Sequence, residues 1–268
     1  MRTNWGRTQR STANRAAWHN AGGGPMGTAE LATSVRVSIR CGDEAVAEDL
    51  EWSSVPLGLL RTARPWRTFR WHQGQKHYSG TYWSSTLRDH VIYESRLELG
   101  RLLFADFDPA VRHVVAQPFL LKRDLQGRVR KHVPDFLVLA DDGPVVVDVK
   151  PRHRLERPEV ASTFAWTRDA VGSRGWRYEV WSEPDPHLLE NIRFLAGYRR
   201  DWLFDAELVN ALRMVELDGM SLGEAFQLLP AYPRPLVKAA VLHLLWSGHV
   251  TTALDRPLSA GHVLGRAA

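Results

Sequence analysis

The sequence predicts an α/β protein with a mixed central sheet flanked by helices and a small helical module after it. Three observations lead there. Between Asp89 and Trp202 a helix pattern, a series of short strand patterns separated by turns, and a further helix–strand–helix succession follow one another. Beyond Asp205 the strand signal fades and helical patterns interrupted by Pro230, Pro233 and Pro235 take over. The composition, 44% hydrophobic and 24% charged over 268 residues, is that of a globular chain long enough for one large domain or two.

The elements are justified in chain order. Met1 to Ala29 holds Arg2, Arg7, Arg10 and Arg15 and no acid, and Gly22-Gly23-Gly24-Pro25 lies near its end; residues 1–50 are read as a basic, flexible leader. A domain over 51–202 opens with a second acid-free stretch, Trp52 to Arg88. It carries Arg61, Arg64, Arg67, Arg70, Lys76 and Arg88 among Trp66, Phe69, Trp71, Tyr78, Tyr82 and Trp83. Cations among aromatics suit a nucleic-acid backbone, and a solvated loop with some rings in a core suits the same letters. Ser95–Asp106 reads as a helix with leucines on one broad face, ended by Asp108-Pro109. Strand patterns follow over Val111–Phe119, Leu120–Arg123, Val129–His132, Asp135–Ala140 and Val145–Val149, with turns at Gln126-Gly127 and Asp141-Asp142-Gly143. A helix over Pro158–Ala170, a strand over Tyr178–Ser182 and a helix from Pro186 complete this part. In 203–268, helices over Ala206–Leu217, Ser221–Leu229 and Leu236–Ser247 and a short hairpin near Gly248–Leu264 outline a winged-helix-like module.

The excess of 35 Lys+Arg over 30 Asp+Glu leaves +5, so the placement of charge matters more than its sum. The single cysteine, Cys41, excludes an internal disulfide and a multi-cysteine zinc site and suits a reducing compartment. No apolar run approaches the roughly 18 residues of a membrane span, so no membrane partner is expected and the cytoplasm is the expected location. The chain has no G-x-x-x-x-G-K-[ST], G-x-S-x-G or H-E-x-x-H, and its eleven histidines show no ligand spacing.

The strongest chemical signal is Pro134-Asp135 followed by Asp148-Val149-Lys150. On adjacent strands the period-two alternation puts Asp148 and Lys150 on one face, with Asp135 able to lie opposite. Two carboxylates and an ammonium at the end of a sheet suit magnesium, with manganese as a substitute, rather than zinc. Glu98 lies among leucines on a helix, a costly place for an acid unless it is paired or ligates a metal. Such a set serves metal-assisted phosphodiester hydrolysis, with Lys150 orienting water or neutralising developing charge. Strand-end acids in turns and a solvated lysine would use the same letters, but the run Val145-Val146-Val147 before Asp148 is that of a buried strand.

These residues resemble the PD-(D/E)xK nuclease superfamily. In order, Tyr93-Glu94-Ser95-Arg96-Leu97-Glu98, Asp106-Phe107-Asp108-Pro109, Gln117-Pro118-Phe119 and Val133-Pro134-Asp135-Phe136 are similar to the TnsA-like endonuclease subunit of heteromeric transposases, over about Tyr78 to Trp202. The resemblance implies a restriction-endonuclease-like core and a catalytic set of Glu98, Asp135, Asp148 and Lys150, of which the three acids hold Mg2+. Glu94, one turn earlier, is the rival helical acid. Where TnsA carries glutamine, Asp148 is the ordinary nuclease carboxylate. Gln117 is implied at the site edge or in a structural role, and Arg64, Arg67, Arg70, Lys76, Arg152 and Arg154 are candidate DNA contacts. The implied substrate is double-stranded DNA at transposon ends, cut at the 5′ ends. The implied partners are a DDE-type transposase subunit and an AAA+ ATPase regulator, with partner docking or DNA binding open for the C-terminal module. A stand-alone restriction or repair nuclease of the same superfamily and a non-catalytic DNA-binding assembly factor are the alternatives.

Overall fold

The computed structural model describes residues 35–42, 45–67, 78–125 and 127–266. The four arginines of the leader, together with Arg70, Lys76, Phe69 and Trp71 of the basic stretch, lie outside them. The chain divides into two compact units, one comprising the described residues of 23–105 and 110–183, the other those of 106–109 and 184–268.

The first unit begins inside the expected leader. Strand β1 (Val35–Cys41) pairs antiparallel with β2 (Ala45–Glu51) and with β6 (Leu120–Leu125), which pairs with β7 (Arg128–His132), giving the sheet order β2-β1-β6-β7. The leader reading therefore ends at Val35. The reason is a period-two pattern in which Val35, Val37 and Ile39 are fully buried while Arg36 between them is exposed. A short helix α1 (Leu57–Arg61) and a hairpin of β3 (Gly80–Ser84) and β4 (Asp89–Tyr93) follow. Trp52, at the head of the acid-free stretch, is fully buried rather than available to a ligand. Its indole Nε1 donates to Ala170 O at 2.6 Å, and the Arg174 guanidinium lies 4.7 Å from its ring centre.

The second sheet is mixed, in the order β10-β9-β8-β5, with β5 (Val111–Ala116), β8 (Phe136–Ala140), β9 (Gly143–Val149) and β10 (Arg177–Trp181). The expected strand over Val111–Phe119 stops at Ala116 because Gln117 takes φ 46°, and Pro118 offers no N–H to continue a ladder. The strand patterns that look like one meander thus divide between two sheets. β9 and β10 run parallel, a pairing that needs a crossover, and helix α3 (Pro158–Gly172) supplies it. Helix α2 (Arg96–Phe107) is tied to β10 by Arg101, whose Nε and Nη2 meet the Glu179 carboxylate at 3.0 and 3.1 Å. Val35, Val37, Ile39, Trp52, Phe119, Leu121, Leu137, Val146, Trp166 and Val171 form one core cluster that joins both sheets to α3. This mixed α/β arrangement is compatible with a restriction-endonuclease-like fold.

In the second unit, α4 (Pro186–Leu195) is capped by Asp185, whose carboxylate accepts from Leu188 N–H. Helices α5 (Ala206–Arg213), α6 (Leu222–Ala225) and α7 (Arg234–Trp246) and a two-residue antiparallel pair, β11 (Val250–Thr251) with β12 (Gly265–Arg266), make up the rest. Ser221 and Glu224 form a reciprocal capping box at α6, which ends well short of Leu229, where φ is 54°. No helix among the described residues is long and apolar enough to cross a membrane.

Candidate active site

The site is assembled at the end of the second sheet, where β8 begins and β9 finishes. The antiparallel register pairs Phe136 with Val147. One step further along the same ladder, Asp135 comes opposite Asp148. The two are locked at this point by a hydrogen bond from Val149 N–H to Asp135 Oδ2 at 2.6 Å. Lys150 follows in the strand direction, with its backbone N–H on Trp181 O at 2.9 Å and its carbonyl accepting from Ser182 Oγ at 2.7 Å. Among the described residues no carboxylate lies within ion-pair distance of its ammonium.

Asp148 is 1% exposed. A carboxylate that deep requires hydrogen-bond partners. It has two that sequence reasoning missed. His132 Nε2, at the end of β7, lies 2.9 and 2.8 Å from the two carboxylate oxygens, and the Tyr178 hydroxyl from β10 donates to Oδ2. Phe164 and Trp166 on α3 pack edge-on against the His132 ring, at 6.3 and 6.2 Å between centres. Burial, reinforced by the Asp148 charge, pushes the Tyr178 phenol far above its ordinary pKa, so it remains a donor. The only sequence signals were a His closing an expected strand and a Tyr opening another, neither of which names a partner.

Asp135 is the most perturbed acid of the set. Loss of hydration, then the charges of Asp148 and Glu98, push its pKa well above the usual carboxylate range, against the opposing pull of Val149 N–H and Lys150. Glu98 is also raised, chiefly by burial. Its carboxylate turns back on its own helix start, accepting from Glu94 N–H at 2.6 Å and from Ser95 Oγ at 2.8 Å, while Glu98 N–H donates to Ser95 Oγ at 3.1 Å. The Ser-x-x-Glu spacing that resembles a nuclease signature is thus also a capping arrangement.

Gln117 is 5% exposed and fully engaged. Its N–H donates to Asp135 O at 2.8 Å, its carbonyl accepts from Trp66 N–H at 3.0 Å, its Oε1 accepts from Arg67 N–H at 2.9 Å, and its Nε2 donates to Glu94 Oε1 at 2.7 Å. It is therefore a structural clamp that also holds the backbone of Asp135. Replacing it, Gln117→Ala, is expected to lower stability by about 1–3 kcal/mol, the cost of leaving such groups unmade. A urea midpoint equal to wild type would contradict this role. Glu94, the rival acid, lies just before α2 and belongs to this clamp and to Arg67, 3.5 Å away.

The outer candidates are dispersed. Arg64 and Arg67 are exposed beside this clamp. Arg152 and Arg154 are exposed in the 3-10 turn after Lys150, where Arg152 Nη2 donates to Glu183 O at 3.1 Å.

The donor set of Asp135, Asp148 and Glu98 is oxygen-only and suits a hard divalent cation. The repulsion that drives Asp135 upward is the electrostatic deficit such a cation would relieve. Among the described residues, though, no group of three or more His, Cys, Asp or Glu stands close enough to hold a metal ion. The charge of Glu98 reaches Asp135, while the Glu98 carboxylate is engaged by Glu94 N–H and Ser95 Oγ and the Asp148 carboxylate by His132 and Tyr178.

No curated protein matches the chain. Glu98 precedes the family match, but Gln117, Asp135, Asp148 and Lys150 all fall within it: residues 108–183 match the family model described as TnsA-like endonuclease N terminal, so this part of the chain is similar to that nuclease domain.

Proposed function

We propose that the chain is the endonuclease subunit of a heteromeric transposase, hydrolysing phosphodiesters at the 5′ ends of a mobile element in a metal-dependent reaction. The observation that carries the reading is the ladder that sets Asp135 opposite Asp148, with Lys150 next in the strand, inside the family-matched segment. A divalent cation, Mg2+ or in its place Mn2+, would be held by Asp135 and Asp148, with Glu98 as third acid once its carboxylate turns from Glu94 N–H and Ser95 Oγ, and would supply Lewis-acid polarisation of the scissile phosphate and activation of the attacking water. The Lys150 ammonium, with no carboxylate in ion-pair distance among the described residues, neutralises the charge that develops on the phosphate. His132 and Tyr178 fix the Asp148 carboxylate, and Gln117 fixes the backbone of Asp135. Arg152 and Arg154, and Arg64 and Arg67 near Gln117, are phosphate contacts in this reading. The DDE-type transposase subunit cuts the other strand, and the AAA+ ATPase regulates assembly, with the C-terminal helices and strand pair acting as a winged-helix-like docking module.

The test is reconstitution with both partners, Mg2+ and double-stranded element-end DNA, followed by mapping of the nicks. Wild type is expected to nick at the 5′ ends. Lys150→Ala is expected to bind DNA as wild type does while cleavage falls about 100-fold, the scale of one lost electrostatic contact to a transition state. Binding lost in equal measure would move Lys150 from chemistry to phosphate contact. Absence of 5′ nicks from the wild-type assembly would overturn the reading.

A further inference from the structure

The hairpin of β6 and β7 carries like charges set directly against one another. β7 is an edge strand on which Arg128, Val129, Arg130 and Lys131 are all exposed. Its register places Lys131 opposite Lys122 and Arg130 opposite Arg123. Like charges directly opposite across an antiparallel ladder destabilise it, so each pair calls for a counter-charge.

The two faces meet this demand differently. On one face Lys122 Nζ donates to Asp49 Oδ1 at 2.9 Å, and the Lys122 ammonium, followed by Arg36 and Lys131, holds the Asp49 carboxyl below its ordinary pKa. The protein thus supplies its own anion there. On the other face, Arg123 and Arg130 have no acid within ion-pair distance among the described residues, and Arg123 Nε is buried with no hydrogen-bond partner. Strand alternation puts Arg128, Arg130 and His132 on this same face at intervals of about 6.8 Å. The row ends at the residue that holds Asp148. Three guanidinium forks match phosphate oxygens in geometry as well as charge.

We propose that this face of the hairpin, Arg123, Arg128 and Arg130, binds the phosphate backbone of double-stranded DNA and leads it to Asp148, an inference that rests on the nuclease reading. The missing counter-charge is then the substrate's own. The hairpin supplies phosphate contacts that the sequence motifs do not mark.

The test compares the full-length protein with its Arg128→Gln/Arg130→Gln double variant by fluorescence anisotropy of a labelled duplex, from about 50 to about 200 mM salt. Two lost phosphate contacts should make the slope of log K against log salt shallower by roughly 1.8 and weaken binding on the order of tenfold to thirtyfold near 0.15 M salt. Lys131→Gln, on the face neutralised by Asp49, should leave the slope unchanged. The double variant should also melt at a higher temperature than wild type without DNA, since the like-charge pair is gone; a purely structural role would lower it. An unchanged slope, an equal loss in Lys131→Gln, or a lower melting temperature overturns the proposal. So does normal duplex binding combined with loss of a partner subunit, which would make the face an acidic-protein surface. The two readings fail separately. Unchanged variants with normal 5′ nicking sink the hairpin alone, whereas a wild type that binds duplex with the steep slope but never cuts sinks the nuclease reading.

Discussion

Asp135→Asn is expected to abolish 5′-end cleavage, by about a thousandfold or more, while raising the stability of the metal-free protein at neutral pH. The loss of activity follows from removing one of the two carboxylates that face each other at the end of the β8–β9 ladder. A factor of a thousand corresponds to about 4 kcal/mol of transition-state stabilisation. The gain in stability follows from linkage. Asp135 is raised in the folded chain by loss of hydration and by the charges of Asp148 and Glu98. The folded state therefore binds this proton more tightly than the unfolded state. Its contribution is fully present below the ordinary carboxylate pKa of about 3.9 and is lost as pH rises toward the folded value. An amide stays neutral throughout, and its oxygen can still accept from Val149 N–H. Thermal unfolding in the presence of a chelator, from acid to neutral pH, should show wild type losing ground to Asp135→Asn as pH rises. Equal cleavage by the two proteins would remove Asp135 from the chemistry. A variant less stable than wild type at neutral pH would remove the repulsion argued for the site.

His132→Ala is expected to destabilise the protein by about 3 kcal/mol or more, because it removes a hydrogen bond to a buried carboxylate together with the packing of the ring against Phe164 and Trp166. Asp148 is 1% exposed, and His132 is the group that meets both of its oxygens. Tyr178→Phe removes only the second donor and should cost less, about 1.5–3 kcal/mol, typical of a hydrogen bond to a charged group. The two replacements should not add to Asp148→Asn, because an amide does not demand the same neutralisation. Urea unfolding of the three single and two double variants measures this. A loss under about 1 kcal/mol for His132→Ala, or strict additivity with Asp148→Asn, would mean that His132 does not hold the Asp148 carboxylate.

The comparison of sequence with structure divides along the same line. Helix α2 and strands β8, β9 and β10 are legible, because amphipathic period, an uninterrupted Val145–Val147 run and the Asp-Asp-Gly turn are signals within one segment, whereas the parallel pairing of β10 with β9 is not. Residues 35–50 read as leader because the alternation Val35-Arg36-Val37-Ser38-Ile39 is short and its partner strand β6 lies far along the chain. Trp52 belonged in letters to a basic–aromatic stretch and in space to a core, where Arg174 and Ala170, more than a hundred residues later, receive it. Ser95 and Glu98 fit two local patterns at once, and only the folded chain decides that the carboxylate faces its own helix start.

By itself the sequence determined the α/β class, the family resemblance, and the pairing of Asp135 with Asp148 and Lys150, since strand alternation and turn chemistry act between near neighbours. The tertiary structure alone decided which groups meet Asp148 in the interior, His132 sixteen and Tyr178 thirty positions away. It alone decided that Gln117 clamps the chain and that Arg123 faces Arg130 across a ladder. The reason is physical: a charge in water is nearly indifferent to its neighbours in sequence, whereas a buried or crowded charge is governed by whatever the fold places within a few ångströms of it.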